Sequence, residues 1–274
     1  MGTIKANDLV EFVLSESNKA VADYFSSDAL ILKSPIRFGL DNIVRTEIET
    51  LKDGQENTKN LTVLLETTGG FIEVVERIYN VIRKHYEHVN FIVGPIDPQM
   101  ENENERFVSG LGYLAKFDDL VEKINKAENP ENVRAELAYL LKKFDPAELF
   151  DLEQARSHSE DLLEEWLSRH KFKDWAVTET SGLPVTDDDR RARASEIAKI
   201  LGDPQRWHSH GRGIGIKELS SEEIKLKITD FGNIPELNDK VRKYYDLFID
   251  YCDKLGSNDT YSTVIHSRNG IRRA

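Results

Sequence analysis

The sequence predicts an α/β fold, with a core of parallel β-α-β units and a mostly helical C-terminal half. The clearest evidence lies in residues 61–93, where two apolar runs of strand length, Leu61–Leu65 and Val89–Val93, flank a predicted helix. Strands that are joined through a helix run parallel, with a right-handed crossover. Residues 7–52 repeat the alternation of helix and strand, and residues 105–173 are predicted to be mostly helical.

The helix of the central unit follows a turn that ends in two glycines. Five apolar residues recur there at the spacing of one helix face, namely Phe71, Val74, Val75, Ile78 and Ile82. Ahead of this unit, residues 7–26 and 40–52 have helical patterns, and between them Ala29–Leu32 is a short apolar run. Helix and strand therefore alternate three times before residue 94.

The helical half has one strong start signal, Asp145-Pro146-Ala147-Glu148, in which Asp is the N-cap and Pro the first helical residue. Further helices are predicted from Thr186 to about Gly202, from Ser220 onward, and over residues 235–255.

These patterns divide the chain into three predicted regions. Residues 1–104 form the α/β core, residues 105–255 form a helical extension with a small turn-rich segment, and residues 256–274 form a flexible tail. The tail is polar and has a basic end, Arg272-Arg273, so we expect it to be frayed.

Composition narrows the class of protein. The 274 residues include 37 Lys and Arg against 49 Asp and Glu, a net charge of −12, which argues against a nucleic-acid binder. No run approaches the roughly 18 apolar residues of a membrane-spanning helix, and the first residues lack the apolar core of a secretory signal. Cys252 is alone and forms no internal disulfide. We therefore expect a cytoplasmic protein, or one peripheral to a membrane.

The turn Thr67-Thr68-Gly69-Gly70 is the first candidate site. Two glycines at the carboxyl end of a parallel strand leave backbone N–H groups uncovered by side chains, and such a pair can hold an anion or an oxyanion. The alternative is a tight strand–helix turn without a ligand. The third glycine of a dinucleotide-binding fingerprint is absent.

Two further segments hold candidate pocket residues. In Gly94-Pro95-Ile96-Asp97-Pro98-Gln99 two prolines stiffen the loop, and Asp97 is expected at the same sheet edge as Gly69 and Gly70, unless it only caps a turn. His208 and His210 form a His-x-His pair, a pattern that can bind a metal. No third ligand is near in sequence, so a structural or pocket-lining role is favoured and no metal or other cofactor is predicted.

Taken together, these motifs resemble the serine dehydrogenase proteinase family, bacterial proteins of the Clp-protease/crotonase fold that are related to signal peptide peptidase A. The resemblance covers about residues 25–255. Its segments are Leu64-Leu65-Glu66-Thr67-Thr68-Gly69-Gly70-Phe71, Phe91-Ile92-Val93, Gly94-Pro95-Ile96-Asp97-Pro98-Gln99, Leu111-Gly112-Tyr113-Leu114, Glu153-Gln154-Ala155-Arg156, Trp166-Leu167, Lys171-Phe172-Lys173-Asp174-Trp175, Ala198-Lys199-Ile200-Leu201-Gly202-Asp203 and Trp207-His208-Ser209-His210-Gly211-Arg212.

The resemblance implies a serine peptidase whose nucleophile this sequence lacks. The family's oxyanion pocket maps onto Gly69 and Gly70. Its nucleophile is expected on an Ala-Met-Ser-Ala-Gly turn after the next strand, but here Gly94 follows Val93 directly. A block of roughly 25–30 residues, the size of one crossover connection with its strand, is missing. No catalytic serine can be assigned, and Thr68, Asp97, His208 and His210 remain pocket candidates.

The missing block would start and finish at the carboxyl ends of neighbouring parallel strands, which lie about 5 Å apart. The shortened chain could therefore fold with one strand fewer and an exposed apolar face. The other interpretation is that the block is missing from this sequence and not from the protein, and the residues do not decide between the two.

Three functional hypotheses follow from the resemblance. The first is a serine peptidase-like hydrolase that is inactive or weakly active without its nucleophile, with a peptide or protein as substrate if it is active. The second is a non-catalytic scaffold or oligomeric binding protein on the same fold. The third is a binder of acyl thioesters at the paired backbone amides. The resemblance also implies a homo-oligomer, with residues 105–173 and 235–255 as the expected contact surfaces.

Overall fold

The structure is a computed structural model, and its contacts divide the chain into two units. The first unit comprises Met1–Ile96 with Thr229–Ala274, and the second comprises Asp97–Ile228. The residues that the structure describes are 5–53, 58–93, 110–126, 139–178, 182–203, 206 and 214–274.

Helices and strands alternate through the first unit, and helices dominate the second. In chain order the elements are α1 (Ala6–Phe25), β1 (Asp28–Lys33), α2 (Leu40–Lys52), β2 (Asn60–Glu66), α3 (Ile72–His85), β3 (His88–Val93), α4 (Gly110–Asn125), α5 (Pro146–Trp166), a π-helical turn (Leu167–Lys171), α6 (Asp187–Leu201), α7 (Ile216–Leu219), a 3₁₀ turn (Phe231–Asn233), α8 (Pro235–Lys254), β4 (Val264–Ser267) and β5 (Gly270–Arg273).

The first unit contains a five-stranded mixed sheet with the strand order β3-β2-β1-β4-β5. Strands β1, β2 and β3 run parallel to one another, whereas β4 runs antiparallel to β1 and to β5. All six residues of β1 are buried, as befits the central strand. The predicted α/β class and the parallel pairing of the two strands in residues 61–93 are confirmed.

Helices cover both faces of the sheet, and the alternation of side chains along β1 supplies both cores. Ala29 and Ile31 face α1 and α8, whereas Leu30 and Leu32 face α2 and α3. The first core is completed by Leu14, Val21, Leu64, Ile92, Leu237, Val241, Tyr244, Phe248, Tyr251, Cys252 and Val264. The second is completed by Leu40, Val44, Ile48, Leu51, Leu61, Val63, Val74, Val81, Ile82, Tyr86 and Ile265.

The C-terminal tail is part of this sheet, which corrects the prediction that residues 256–274 are flexible. Strand β4 pairs with Leu30–Lys33 of β1, and all four of its residues are buried. The carboxylate of Glu47 on α2, which is 1% exposed, holds the hairpin. It accepts hydrogen bonds from the Ser267 hydroxyl and, at 3.0 Å, from Nε of Arg272.

The predicted region boundaries at residues 104 and 255 also differ from the two units. Helix α8 returns to the first unit because its apolar face covers the sheet beside α1. Residues 256–274 are polar and basic in composition, and this composition concealed the short buried strand β4 within them. The tail was therefore predicted to be flexible although it contains a strand.

Local signals located most helices of the second unit correctly. Asp145 caps α5 and accepts a hydrogen bond from the Ala147 N–H at 2.8 Å, as predicted. Thr186 caps α6 in a capping box with Asp189. The helix predicted from Ser220 is wrong, because α7 ends at Leu219 and Ser220 is its C-cap.

The longest helices carry many charges. Helices α1, α5 and α8 have 20, 21 and 20 residues, and each includes several Asp, Glu, Lys or Arg side chains. Within the described ranges, no helix combines the length and the apolar character needed to cross a membrane.

The structural role of the tail can be tested at Ile265, which is 1% exposed in β4. Replacing it by alanine should lower the free energy of unfolding by about 2–5 kcal/mol, because a large side chain is removed from the core. Urea unfolding of the full chain measures the change. The control is Phe150→Ala, where a side chain that is 60% exposed lies on α5, outside the tail, and the change should stay within about 0.5 kcal/mol. Equal, negligible effects of both substitutions would mean that the tail does not pack.

Candidate functional site

The glycine bend lies at the carboxyl edge of the parallel strands, as predicted. Strand β2 ends at Glu66, and the bend is tied to the chain that follows β1 through Ile36. The Ile36 N–H donates to the Gly69 carbonyl at 2.8 Å, and the Phe71 N–H donates to the Ile36 carbonyl at 2.9 Å. These bonds extend the parallel pairing beyond the strands, to the edge at which α/β proteins bind their ligands.

Each glycine of the bend has its own structural reason. At Gly70 a Cβ atom would lie 1.9 Å from the Ile36 carbonyl oxygen, so the two backbones could not approach as they do. At Gly69 there is open space, but φ is +86°, a conformation that L side chains rarely adopt. The bend therefore needs both glycines whether or not a ligand binds there.

The two predicted anion-binding amides differ in their surroundings. The Gly69 N–H donates to the Thr67 hydroxyl oxygen at 3.1 Å within the bend. Within the described ranges, the Gly70 N–H donates to no other group. The side chain of Thr68 and the Gly70 backbone are exposed. A ligand at this edge could thus bind the Gly70 amide directly. To bind the Gly69 amide as well, it would have to displace the Thr67 hydroxyl.

Two aromatic side chains flank the bend. Phe38 and Phe71 are 61% and 51% exposed, and their ring centroids lie 4.7 Å apart. The guanidinium of Arg77 lies 5.4 Å from the Phe38 ring, and its Nη1 is 3.6 Å from the Asp41 carboxylate. Such exposed rings can pack against an apolar group of a ligand.

A cavity of about 80 Å³ lies on the α8 side of the same strands. Its lining is mostly apolar, with a polar rim, and consists of Ile31, Leu64, Leu65, Glu66, Ile92, Phe231, Val241, Arg242, Tyr245 and Asp246. The Tyr245 hydroxyl donates to Glu66 Oε2 at 2.7 Å across this rim. The cavity is smaller than a typical small-molecule pocket, which has roughly 300 Å³ or more, so it suits a single side chain or a short acyl group.

Two candidate nucleophiles near this edge, Ser34 and Cys252, are not activated. The Ser34 hydroxyl is buried, donates to the Pro35 carbonyl at 2.8 Å and lies 2.7 Å from the Thr263 hydroxyl. Burial raises the pKa of the Cys252 thiol to about 11, so it remains protonated and unreactive near neutral pH. Buried Lys33 donates to the Asp259 carbonyl at 3.0 Å.

The other predicted pocket residues, Asp97, His208 and His210, lie outside the described residues. Within the described part of the chain, no group of three or more His, Cys, Asp and Glu side chains could hold a metal ion. Neither Glu66 nor Tyr245 was singled out from the sequence as a site residue. Their contact joins residues 179 positions apart, and no local pattern signals it.

Strand β3 forms one edge of the described sheet and carries exposed apolar side chains. Phe91 and Val93 are 56% and 58% exposed, whereas Ile92 between them is buried. This pair forms an exposed apolar patch on the edge strand. That a block is missing after Val93 stays a prediction from the family resemblance.

Comparison with known proteins finds no relative. The chain matches no protein-family model, no curated protein and no solved structure. Its function must therefore be inferred from the residues and from their arrangement in the fold.

A second polar cluster is buried away from the glycine bend, between α1, α8 and β4. Asn18 Nδ2 donates to the Ala29 carbonyl at 2.8 Å and to the Tyr244 hydroxyl oxygen at 3.0 Å. That hydroxyl lies 2.7 Å from Nδ1 of His266, whose buried Nε2 has no hydrogen-bond partner in the part of the chain that the structure describes. Burial lowers the pKa of His266 to about 4, so the ring is neutral in the folded chain near neutral pH.

The difference between the two glycines predicts unequal effects of alanine. Gly70→Ala should lower the free energy of unfolding by about 3 kcal/mol or more, because the new methyl group collides with the Ile36 backbone. Gly69→Ala, the matched control, should lower it by about 1–2 kcal/mol through backbone strain alone. Urea unfolding of both variants checks the order. A larger loss at Gly69 would contradict the contact between Gly70 and Ile36.

The state of His266 predicts a pH dependence of stability. The unfolded chain takes up a proton near pH 6.5, whereas the folded chain does so only near pH 4. Unfolding therefore binds a proton in this window, and the free energy of unfolding falls as the pH falls. Between pH 7 and pH 5 the natural chain should lose about 2 kcal/mol more than His266→Gln, measured by urea unfolding at each pH. Parallel curves for the two proteins would contradict a neutral buried imidazole.

Proposed function

We propose that this chain is a serine peptidase-like protein of the hydrolase class, built on the Clp-protease/crotonase fold of the serine dehydrogenase proteinase family. In this proposal, the sequence as it stands is inactive or weakly active because the segment with the nucleophile is absent. The observation that carries the proposal is the Gly70 amide, which lacks an intramolecular acceptor in the described ranges and lies at the carboxyl edge of parallel strands.

The bend supports a role in binding a carbonyl oxygen. Oxyanion sites use backbone N–H groups that are held in place before the reaction, and the bonds of Ile36 to Gly69 and Phe71 hold this bend rigidly. The bond from the Gly69 amide to Thr67 is between neutral groups. A charged oxygen makes hydrogen bonds about twice as strong, so it can displace that hydroxyl.

The surroundings of the bend support an acyl or peptide ligand. Exposed Phe38 and Phe71 offer an apolar surface beside the amides. The cavity beside Glu66 and Tyr245 has room for one apolar side chain. Both features suit a peptide segment better than a highly charged ligand.

The proposed loss of activity follows from the nucleophiles that remain. Ser34 is engaged by Pro35 and Thr263, and Cys252 is held as a thiol. Acyl transfer needs an activated nucleophile beside the oxyanion donors. Removing such a nucleophile commonly lowers the rate by several orders of magnitude.

A non-catalytic scaffold or binding protein on the same fold is the second candidate. The cavity beside the Glu66–Tyr245 contact favours it, because a side chain or acyl group can bind there without any reaction. The proposal also includes a homo-oligomer and a cytoplasmic location, with contact to a membrane surface as the alternative. The single cysteine is buried and free, which fits a reducing compartment.

A graft tests the proposal. The natural chain should show no stoichiometric labelling by a serine-reactive fluorophosphonate probe and negligible hydrolysis of peptide substrates. Inserting a family member's block with its Ala-Met-Ser-Ala-Gly turn between Val93 and Gly94 should restore labelling of one serine. The matched control is the same graft with that serine replaced by alanine, which should not be labelled.

Two outcomes would count against the proposal. Stoichiometric labelling of a serine in the natural chain would show that the nucleophile has not been lost. A graft that folds, as judged by circular dichroism and cooperative unfolding, but resists labelling would reject the hydrolase scaffold and favour the binding protein.

A further inference from the structure

Helix α1 carries apolar side chains on two opposite faces. On the inner face, Leu14 and Val21 are fully buried in the core formed with α8 and the sheet. On the outer face, Leu9, Phe12 and Val13 are 57%, 63% and 48% exposed. The inner face is apolar because it packs in the core of its own unit. Core packing does not explain why the outer face is apolar.

The exposed apolar residues lie between opposite charges. Exposed Lys5 precedes Leu9 by one helical turn, and exposed Glu16 follows Phe12 by one turn. At 100° per residue, these residues and Val13 fall within a face about 100° wide. Lys5 and Glu16 are about 16 Å apart along the helix axis, which is too far for an ion pair within one copy.

This arrangement is self-complementary under a two-fold axis. In an antiparallel pair of identical helices, each residue faces a partner equally distant from the centre of the contact. With the centre between Val10 and Glu11, Lys5 of one copy faces Glu16 of the other, and Leu9 faces Phe12. The register that pairs the charges thus also pairs Leu9 with Phe12, and symmetry makes each of these pairs twice, whereas Val13 falls opposite Asp8.

We propose that the α1 outer stripe, which consists of Lys5, Leu9, Phe12, Val13 and Glu16, is a two-fold interface with a second copy of this chain. The surface differs from the contact regions that the family resemblance suggested. One of those regions, α8, places its apolar face in the core of its own unit. The proposal does not depend on the hydrolase function, because the stripe includes no residue of the glycine bend.

The charges of the stripe indicate which partner binds it. The chain has a net charge of −12, so a membrane with anionic lipids is disfavoured as the partner. The stripe has a positive end at Lys5 and a negative end at Glu16, so an antiparallel copy of the same surface brings opposite charges together at both ends. With three exposed apolar side chains per copy the interface is small, so we expect a dissociation constant on the order of micromolar or weaker.

Charge reversal with rescue tests the interface in the full chain. Sedimentation velocity over a range of concentrations should show a monomer–dimer equilibrium. Lys5→Glu and Glu16→Lys should each weaken it roughly tenfold, because every reversal sets like charges opposite each other twice. The double variant carrying both changes should restore the natural dissociation constant. Only an intermolecular contact between the two positions predicts this rescue.

A pair of apolar substitutions provides a second measurement. Phe12→Ala should weaken the dimer roughly tenfold, because a large side chain leaves the centre of the contact. Phe150→Ala is the matched control, since that ring is 60% exposed on α5, outside the stripe, and the dimer should be unchanged.

Three outcomes would overturn the proposal. The first is a monomer at all concentrations up to several hundred micromolar. The second is a dimer that survives both single reversals and Phe12→Ala. The third is a monomer that sediments with phosphatidylcholine–phosphatidylserine vesicles and loses this binding in Phe12→Ala, which would assign the stripe to a lipid surface.

Discussion

The close approach of two backbones, at Ile36 and at Gly70, organises the edge of the sheet on which the functional proposal rests. It requires a residue without a Cβ atom at position 70, since the Ile36 carbonyl oxygen occupies that space. The same contact holds Gly69 and Phe71 in place through two backbone hydrogen bonds. Helix α3 begins immediately after it, at Ile72, so the start of that helix is also set by this approach.

Much of both units could be predicted from the sequence because the signals are local. The strands of residues 61–93 and the helix between them follow from hydrophobic periodicity, and the capping residues Asp145 and Thr186 mark helix starts. The hairpin at the C-terminus was missed, although Asn269-Gly270 is a common turn sequence, because its strands have only four residues each and the surrounding tail is polar. Its stability comes from pairing with distant β1 and from Glu47, which no local pattern reveals.

The candidate site was predictable only where it lies within one short segment. The paired glycines identify the bend, and the parallel strands place it at the carboxyl edge of the sheet. The engagement of the Gly69 amide by Thr67 was not predictable, because it depends on a side-chain rotamer. The cavity rim joins Glu66 at the end of β2 to Tyr245 on α8, and only the packing of α8 brings them together.

The glycine pair cannot by itself distinguish a hydrolase from a structural turn, because packing alone demands both residues. What would distinguish them is a ligand on the amides. The Gly70 amide finds no acceptor in the described ranges and is exposed, so it is open to water as well as to a ligand. Strand β3 adds an exposed apolar surface, which consists of Phe91 and Val93. The exposed Gly70 amide and the exposed apolar residues of β3 both lie toward the carboxyl end of the parallel strands, which is where the proposal places the ligand.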